Sequence, residues 1–501
     1  MNRQRTRSLS LLAVLGLTGA LVGAPIVAAD PAEGPAVPVQ WGACPEGVED
    51  PAAGPAQLHC ATVPVPLNYN EPEGAQIEIM ISRLASRNPD KRRGVLLLNP
   101  GGPGGSGLDQ PKFLAAQGLP ADVLDSYDVI GMDTRGVGHS APVSCGFTDD
   151  QAYFGNIAPY AENDAAVTER ATVAQGVAEQ CAANDHEGRL RYVSTANMAR
   201  DLDRIRSALG EDKASFLGYS YGTALGAAYA SMFPKQADRI VLDSNIGDTY
   251  LDHEGMRLYG LGMEETFPDF AAWAAARHDT YGLGRTPEEV RRTYFALAER
   301  LDANPVDGMD GSLFRFGTFF TLYRPALYAP AAESWKSLLE TGRPGTAGGR
   351  PPGTGAPSPS DNAWSVFLAV TCNDVEWPAD IRTYHRAVAE DRERYPLYGA
   401  AAANVMPCAY WKLGPSEPPV RIDNTGPADV LIVQNQRDPV TPLRGGELLD
   451  EKFGQRSRLV TVDGSGHGAY VLGANPCASD VVTSYLVNGD IPEHDMTCRA
   501  G

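Results

Sequence analysis

Apolar and polar residues alternate in the stretch QIEIMISRL. Ile77, Ile79 and Ile81 stand against Glu78, Met80 and Ser82, a period of two that predicts a half-buried strand. Elsewhere the apolar runs are short and unbroken: GVLLLN (94–99), YDVIGMD (127–133), ASFLG (214–218), DRIVLDS (238–244), ADVLIVQ (428–434) and SRLVTVD (457–463). Such runs predict strands covered on both faces. Between them the period lengthens. Met198, Leu202, Ile205 and Leu209 form one face of a helix that Gly210 stops, and TALGAAYASMF (223–233) predicts a helix of small residues. Strands alternating with helices imply an α/β fold with a mostly parallel sheet and helices on both faces. From Ser244 to about Ala428 the pattern changes. MEETFPDFAAWAAARH and PEEVRRTYFALAERLDA predict amphipathic helices, and no strong buried strand interrupts them. The expected organisation is a sheet core in two parts, 30–245 and 426–501, with a mainly helical cap inserted over 246–425. Residues 30–60, rich in Pro and Ala, predict irregular chain. The Gly/Pro/Ser-rich stretch 342–362 predicts a mobile loop.

The N-terminus fits none of these elements. Arg3, Arg5 and Arg7 precede a mostly apolar stretch, Leu9 to Val22, which Gly16, Thr18 and Gly19 break; Val27-Ala28-Ala29 then supplies small residues before Asp30. That order predicts a secretory signal peptide over 1–29 and an extracellular mature chain. A membrane anchor would need about 20 clean apolar residues, so no stable membrane insertion is expected. Export changes the meaning of the eight cysteines: Cys44, Cys60, Cys145, Cys181, Cys372, Cys408, Cys477 and Cys498 are expected to form disulfides. Pairing of chain neighbours is one of on the order of a hundred connectivities. None forms C-x-x-C, which disfavours redox chemistry and zinc ribbons. A formal net charge of -20 over 501 residues repels phosphate backbones and argues against nucleic acid as a partner.

Chemistry enters at FLGYSYGTALG. Gly218-Tyr219-Ser220-Tyr221-Gly222 fits G-x-S-x-G between a predicted strand and a small-residue helix. Its glycines permit a tight turn that lifts the Ser220 hydroxyl out of the sheet, and the helix N-terminus favours developing negative charge. A serine needs a base. His467, in VDGSGHGAY, follows the last strong strand, where the order Ser, acid, His puts it. His139 in TRGVGHS is a rival better suited to the pocket rim. The orienting acid is expected after the preceding strand, where Asp438 stands in QRDPVTP, with Thr441 near it; Asp463 is the rival but sits on the same loop as His467. The turn NPGGPGGSG admits two readings. Gly102, Gly104 and Gly107 fit the G-x-G-x-x-G of a dinucleotide cradle. Pro103 offers no N–H to a phosphate, and the turn also stands where an oxyanion hole is completed, with Gly102 and Tyr221 giving the two backbone donors.

The motifs NPGGPGGSG, DTRGVGHS, GYSYGTALG, RDPVTP and GSGHGAY together resemble α/β-hydrolases of the proline iminopeptidase and tripeptidyl aminopeptidase family, in its secreted actinobacterial branch. The resemblance implies the α/β-hydrolase fold, a Ser220–Asp438–His467 triad, and an oxyanion hole at Gly102 and Tyr221. Proline iminopeptidases carry His before G-G-P-G; Pro100 stands here, as in the tripeptidyl branch. Members that trim N-termini hold the substrate ammonium with cap carboxylates, which makes Glu264, Glu265, Asp374 and Glu376 candidates; the alternative for Glu264 and Glu265 is a solvated helix face. The expected activity is a secreted serine exopeptidase releasing short peptides, with tripeptides favoured, from peptide or protein substrates without metal or cofactor. A carboxylesterase or lipase, or an endopeptidase, could run on the same machinery.

Overall fold

The computed structural model describes residues 39–48, 57–151, 157–345 and 355–500. The expected signal peptide lies outside the described residues. Among the described residues nine strands form one sheet: β1 (His59–Pro66), β2 (Gln76–Leu84), β3 (Gly94–Asn99), β4 (Tyr127–Met132), β5 (Ala214–Tyr219), β6 (Ala237–Asp243), β7 (Val430–Arg437), β8 (Ser457–Ser465) and β9 (Met496–Cys498). Their order is β1-β2-β4-β3-β5-β6-β7-β8-β9. β2 runs antiparallel to β1 and β4; every other neighbouring pair is parallel.

The unbroken apolar runs divide between two faces. Val95 and Leu97 of β3 join Phe216, Ile240 and Ile432 in one cluster. Leu96 and Leu98 join Leu217, Val241 and Leu431 in the other. Each strand thus supplies both cores because successive side chains point to opposite faces. The first face is covered by the helices Thr195–Ala208 and Tyr221–Met232. The second is covered by Gln110–Ala116, Ala121–Ser126 and Pro476–Asn488.

Three elements escape the hydrophobic pattern. β1 starts at the end of the stretch expected to be irregular, runs on past it, and carries Pro64 and Pro66, which an edge strand tolerates. β9, at the opposite edge, has only three residues. The helix Asp164–Asn184 buries Ala171, Ala174 and Ala178 beside Val167 and Val177, so its stripe is largely alanine. Between β6 and β7 the chain builds helices, among them His253–Ala275, Pro287–Ala303, Gly311–Thr321, Tyr328–Thr341, Asp361–Asp374 and Ile381–Arg394. Of the stretch expected to be mobile, 346–354 lies outside the described residues. Its end is tied down: Asp361 accepts from the Phe147 N–H at 2.7 Å and the Ser144 hydroxyl at 2.5 Å.

The cysteines pair as Cys44–Cys60, Cys145–Cys181, Cys372–Cys408 and Cys477–Cys498, across separations of 16, 36, 36 and 21 residues. Each such cross-link stabilises by about 2–4 kcal/mol, chiefly by restricting the unfolded chain. The last one ties the short β9 to the helix that precedes it. Among the described residues no helix is long and apolar enough to cross a membrane.

Candidate active site

Three parallel strands, β5, β7 and β8, end on the same edge of the sheet, and the turns that follow them carry the chemistry. β5 passes into the helix Tyr221–Met232 through Ser220, at φ 57° and ψ −126°. A non-glycine residue at positive φ is strained and persists only where its surroundings hold it. Here the Ser220 N–H donates to the Asp243 carbonyl of β6 at 3.0 Å. The turn after β3 lies against this elbow. Gly101 has φ +92°, and a Cβ there would stand 2.8 Å from the Ser220 Cβ and 3.2 Å from the Tyr221 nitrogen. Only glycine fits that approach. The Gly101 N–H is taken by Asn99 Oδ1 at 3.0 Å, while Gly102, next along, is exposed. The dinucleotide reading thus gives way to a turn folded onto a serine.

β7 and β8 supply the other two groups. His467 Nδ1 lies 2.9 Å from Asp438 Oδ2 and 3.2 Å from Oδ1. Asp438 is wholly buried. Its oxygens accept from the Val440 N–H and Thr441 N–H, both at 3.0 Å, and from the Thr441 hydroxyl at 2.9 Å. A carboxylate so supplied with donors keeps its orientation. It engages Nδ1, which leaves Nε2 of the ring as the nitrogen available to a proton from outside. The rivals are employed elsewhere. Asp463 pairs with Arg437 at 3.0 Å, and Arg437 also holds Asp269 at 2.8 Å. His139 turns its Nδ1 to Asp133 at 3.2 Å.

The helical insertion closes over these turns. Gly262, in the helix His253–Ala275, packs directly on the Pro439 carbonyl, where any side chain would collide. The Tyr323 carbonyl accepts the His467 N–H at 2.8 Å, and the Tyr323 ring meets the imidazole edge-on at 5.2 Å. Two cavities flank His467. One, of about 290 Å³, is lined by Pro100, Phe113 and Tyr219; the other, of about 510 Å³, by Asn435, Asp463 and Ser465.

The four candidate ammonium ligands scatter. Glu264 pairs with Arg291 at 2.9 Å and accepts the Leu397 N–H at 2.8 Å. Asp374 is buried, and Thr195 binds both its oxygens, by N–H at 2.7 Å and by hydroxyl at 2.5 Å. Thr195 in turn meets the Tyr221 hydroxyl at 2.7 Å, so Asp374 braces the residue that follows Ser220. Burial pushes the Asp374 carboxyl up to about 7 against those hydrogen bonds. Glu265 and Glu376 are exposed. The Glu265 carboxyl is nonetheless partly covered, and that desolvation, followed by the charge of Glu447, raises it above the usual range. Among the described residues none of the four lines the cavities flanking His467.

One residue of the site has no motif. Asp243, fully buried at the end of β6, accepts from the Ala469 N–H at 3.0 Å and the Tyr470 N–H at 2.7 Å. Ser244 adds the Gly468 N–H at 2.9 Å. Burial pushes the Asp243 carboxyl up to about 6, with the Tyr470 and Ala469 donors opposing. Its carbonyl holds the serine and its carboxylate holds the histidine loop. Its place at a strand end is legible in DRIVLDS; the loop it grips is not.

With this geometry in view, the relatives are informative. A family model described as TAP-like protein matches residues 395–498. The chain is 34% identical over 459 residues to the tripeptidyl aminopeptidase of Streptomyces coelicolor, a match covering 89% of this chain and 83% of that protein. It belongs to the tripeptidyl aminopeptidase family of α/β-hydrolases. This member is therefore a hydrolase on that fold. It is also 28% identical over 495 residues to the serine protease Hip1 of Mycobacterium tuberculosis, covering 92% of this chain and 91% of that one. To carboxylesterase B of the same organism it is 32% identical over 495 residues, covering 96% and 92%. Among solved structures, the proline iminopeptidase of Mycobacterium smegmatis matches with 15% identity and a TM-score of 0.37, covering 85% of this chain and 98% of that one.

Proposed function

We propose that the protein is a secreted serine exopeptidase that releases short peptides, tripeptides foremost, from substrate N-termini. The observation that carries this reading is the buried Asp438 bound to His467 Nδ1 at 2.9 Å, in a chain similar over most of its length to a tripeptidyl aminopeptidase. In this reading Ser220 Oγ attacks the scissile carbonyl while His467 Nε2 takes its proton. The tetrahedral oxyanion is met by the backbone N–H groups of Tyr221 and Gly102. His467 then gives the proton to the leaving amine, the C–N bond breaks, and water admitted through the same base frees the acyl-peptide from Ser220. Asp438 keeps the imidazole tautomer and stabilises the imidazolium. The four disulfides and the absence of a membrane-spanning helix among the described residues support export through the N-terminal segment.

Trimming requires recognition of a free ammonium. Taking that charge out of water is costly unless a carboxylate meets it. Glu264 and Asp374 are already engaged, so Glu265 and Glu376 are the partners this reading favours. A free-amine tripeptidyl chromogen should be cleaved much faster than its acetylated twin. Glu265→Gln or Glu376→Gln should raise KM for the free-amine substrate alone. A second reading rests on the 32% identity to carboxylesterase B. Equal turnover of acetylated peptides or plain acyl esters by the wild-type protein would favour it and overturn the exopeptidase.

A further inference from the structure

Because His467 must protonate the leaving amine, the leaving chain has to depart along His467. The two cavities that flank this ring are therefore where the released chain starts its exit. Both are also lined by Tyr323 and Arg324 of the insertion. Tyr323 is fixed, since its carbonyl accepts the His467 N–H. Arg324, one residue on, is thereby held at the seam between the two cavities. Its side chain is exposed and has no ion-pair partner among the described residues, in a chain of net charge -20. Among those residues it is also the one Lys or Arg lining either cavity. Each cavity has one carboxylate, Asp109 in the smaller and Asp463 in the larger. Asp463 is held by Arg437 at 3.0 Å, a guanidinium it shares with Asp269. Arg324 thus lines the same cavities as the base without an ion pair of its own among the described residues, and a planar guanidinium is the side chain that pairs best with a carboxylate.

We propose that Arg324 binds a carboxylate on the leaving chain, so that peptides whose released portion is acidic are preferred over neutral ones. This rests on the peptidase reading above. The carboxylate can be an acidic side chain or the C-terminus of a short leaving peptide, and one experiment separates the two. Three pentapeptides are compared by product chromatography: Ala-Ala-Ala-Leu-Gln amide, Ala-Ala-Ala-Leu-Glu amide, and Ala-Ala-Ala-Leu-Gln with a free C-terminus. For the wild-type protein kcat/KM should be about two- to fivefold higher for one or both carboxylate-bearing peptides than for the neutral amide, the range expected of a solvent-accessible charged pair. Arg324→Ala should bring that ratio to about one, Arg324→Glu should invert it, and Arg324→Lys should restore part of it. Because ratios within one variant are compared, a general loss of activity cancels. A response confined to the Glu amide assigns Arg324 to side chains; one confined to the free C-terminus assigns it to short peptides. A ratio of one in the wild type, or a ratio unmoved by Arg324→Glu, overturns the inference. Cleavage of the free-amine tripeptidyl chromogen, whose leaving group has no carboxylate, reports on the exopeptidase reading separately.

Discussion

The turns at the ends of β5, β7 and β8 and the helical insertion above them both hold acidic side chains, but by different means. In the turns, carboxylates are held by backbone N–H groups: Asp438 by Val440 and Thr441, Asp243 by Ala469 and Tyr470. In the insertion, Asp361 and Asp374 are held by N–H and hydroxyl groups where they meet the core, but others are held by arginines of neighbouring helices. Asp391 pairs with Arg257 at 2.6 Å, Asp302 with Arg315 at 2.7 Å, and Glu264 with Arg291 at 2.9 Å. The hydrophobic contacts differ in the same way. Leu, Ile and Val dominate the sheet, whereas Phe267, Phe270, Tyr294 and Trp335 pack ring to ring in the insertion. Backbone donors in short turns anchored at strand ends have few ways to move, so they hold a geometry tightly. Side-chain pairs between helices can lengthen or exchange partners at small cost. In the proposed function, bond-making belongs to the first region and substrate choice to the second.

The sharpest way to break that assignment is at the turns. Ser220→Ala should lower kcat on the order of a million-fold, and Asp438→Asn about ten-thousand-fold, as in other triads. Circular dichroism of both variants should match the wild type. A folded Ser220→Ala protein with near-normal turnover would remove the serine from the mechanism.

Asp243→Asn is the next test. An amide has one acceptor oxygen where the carboxylate has two, so the Ala469 and Tyr470 donors lose part of their anchor and the His467 loop shifts. A misplacement of that kind costs about ten- to a hundredfold in kcat with KM nearly unchanged. The hydroxyl-reactive fluorophosphonate labelling rate of Ser220 should fall in parallel. A change in KM alone would mean that Asp243 serves substrate binding and that the division between the regions is wrong.

The smallest effect is expected where the regions meet. Asp374, on an insertion helix, has a carboxyl raised by burial from 3.8 to about 7. A raised carboxyl binds its proton more tightly in the folded chain. It favours folding at low pH, and that contribution is lost as pH climbs from about 4 through 7. Asp374→Asn removes the titration. The wild type should therefore lose Tm relative to the variant over that window, by roughly 2–4 °C. Parallel melting curves at pH 4 and pH 8 would sink the prediction.

Much of this was legible in one dimension. Ser220, Asp438 and His467 each follow a short apolar run, and an unbroken apolar run can be little else than a strand covered on both faces. Chain order then brings the three turns to one end of the sheet. What the sequence could not reveal is which polar groups meet across that end. Asp243 looks like any strand-terminal aspartate until β6 lies between β5 and β7 and its two faces reach Ser220 and Ala469. Asp374 and Glu264 read as candidate ligands for a substrate ammonium; the one is buried and tied to Tyr221 through Thr195, the other closed by Arg291. Arg324 carries no motif and stands out only because Tyr323 is pinned to His467. Hydrophobic period is set by neighbours along the chain, and so a single sequence records it. The partner of a charge is set by packing between segments far apart in the chain, and only the folded structure decides it.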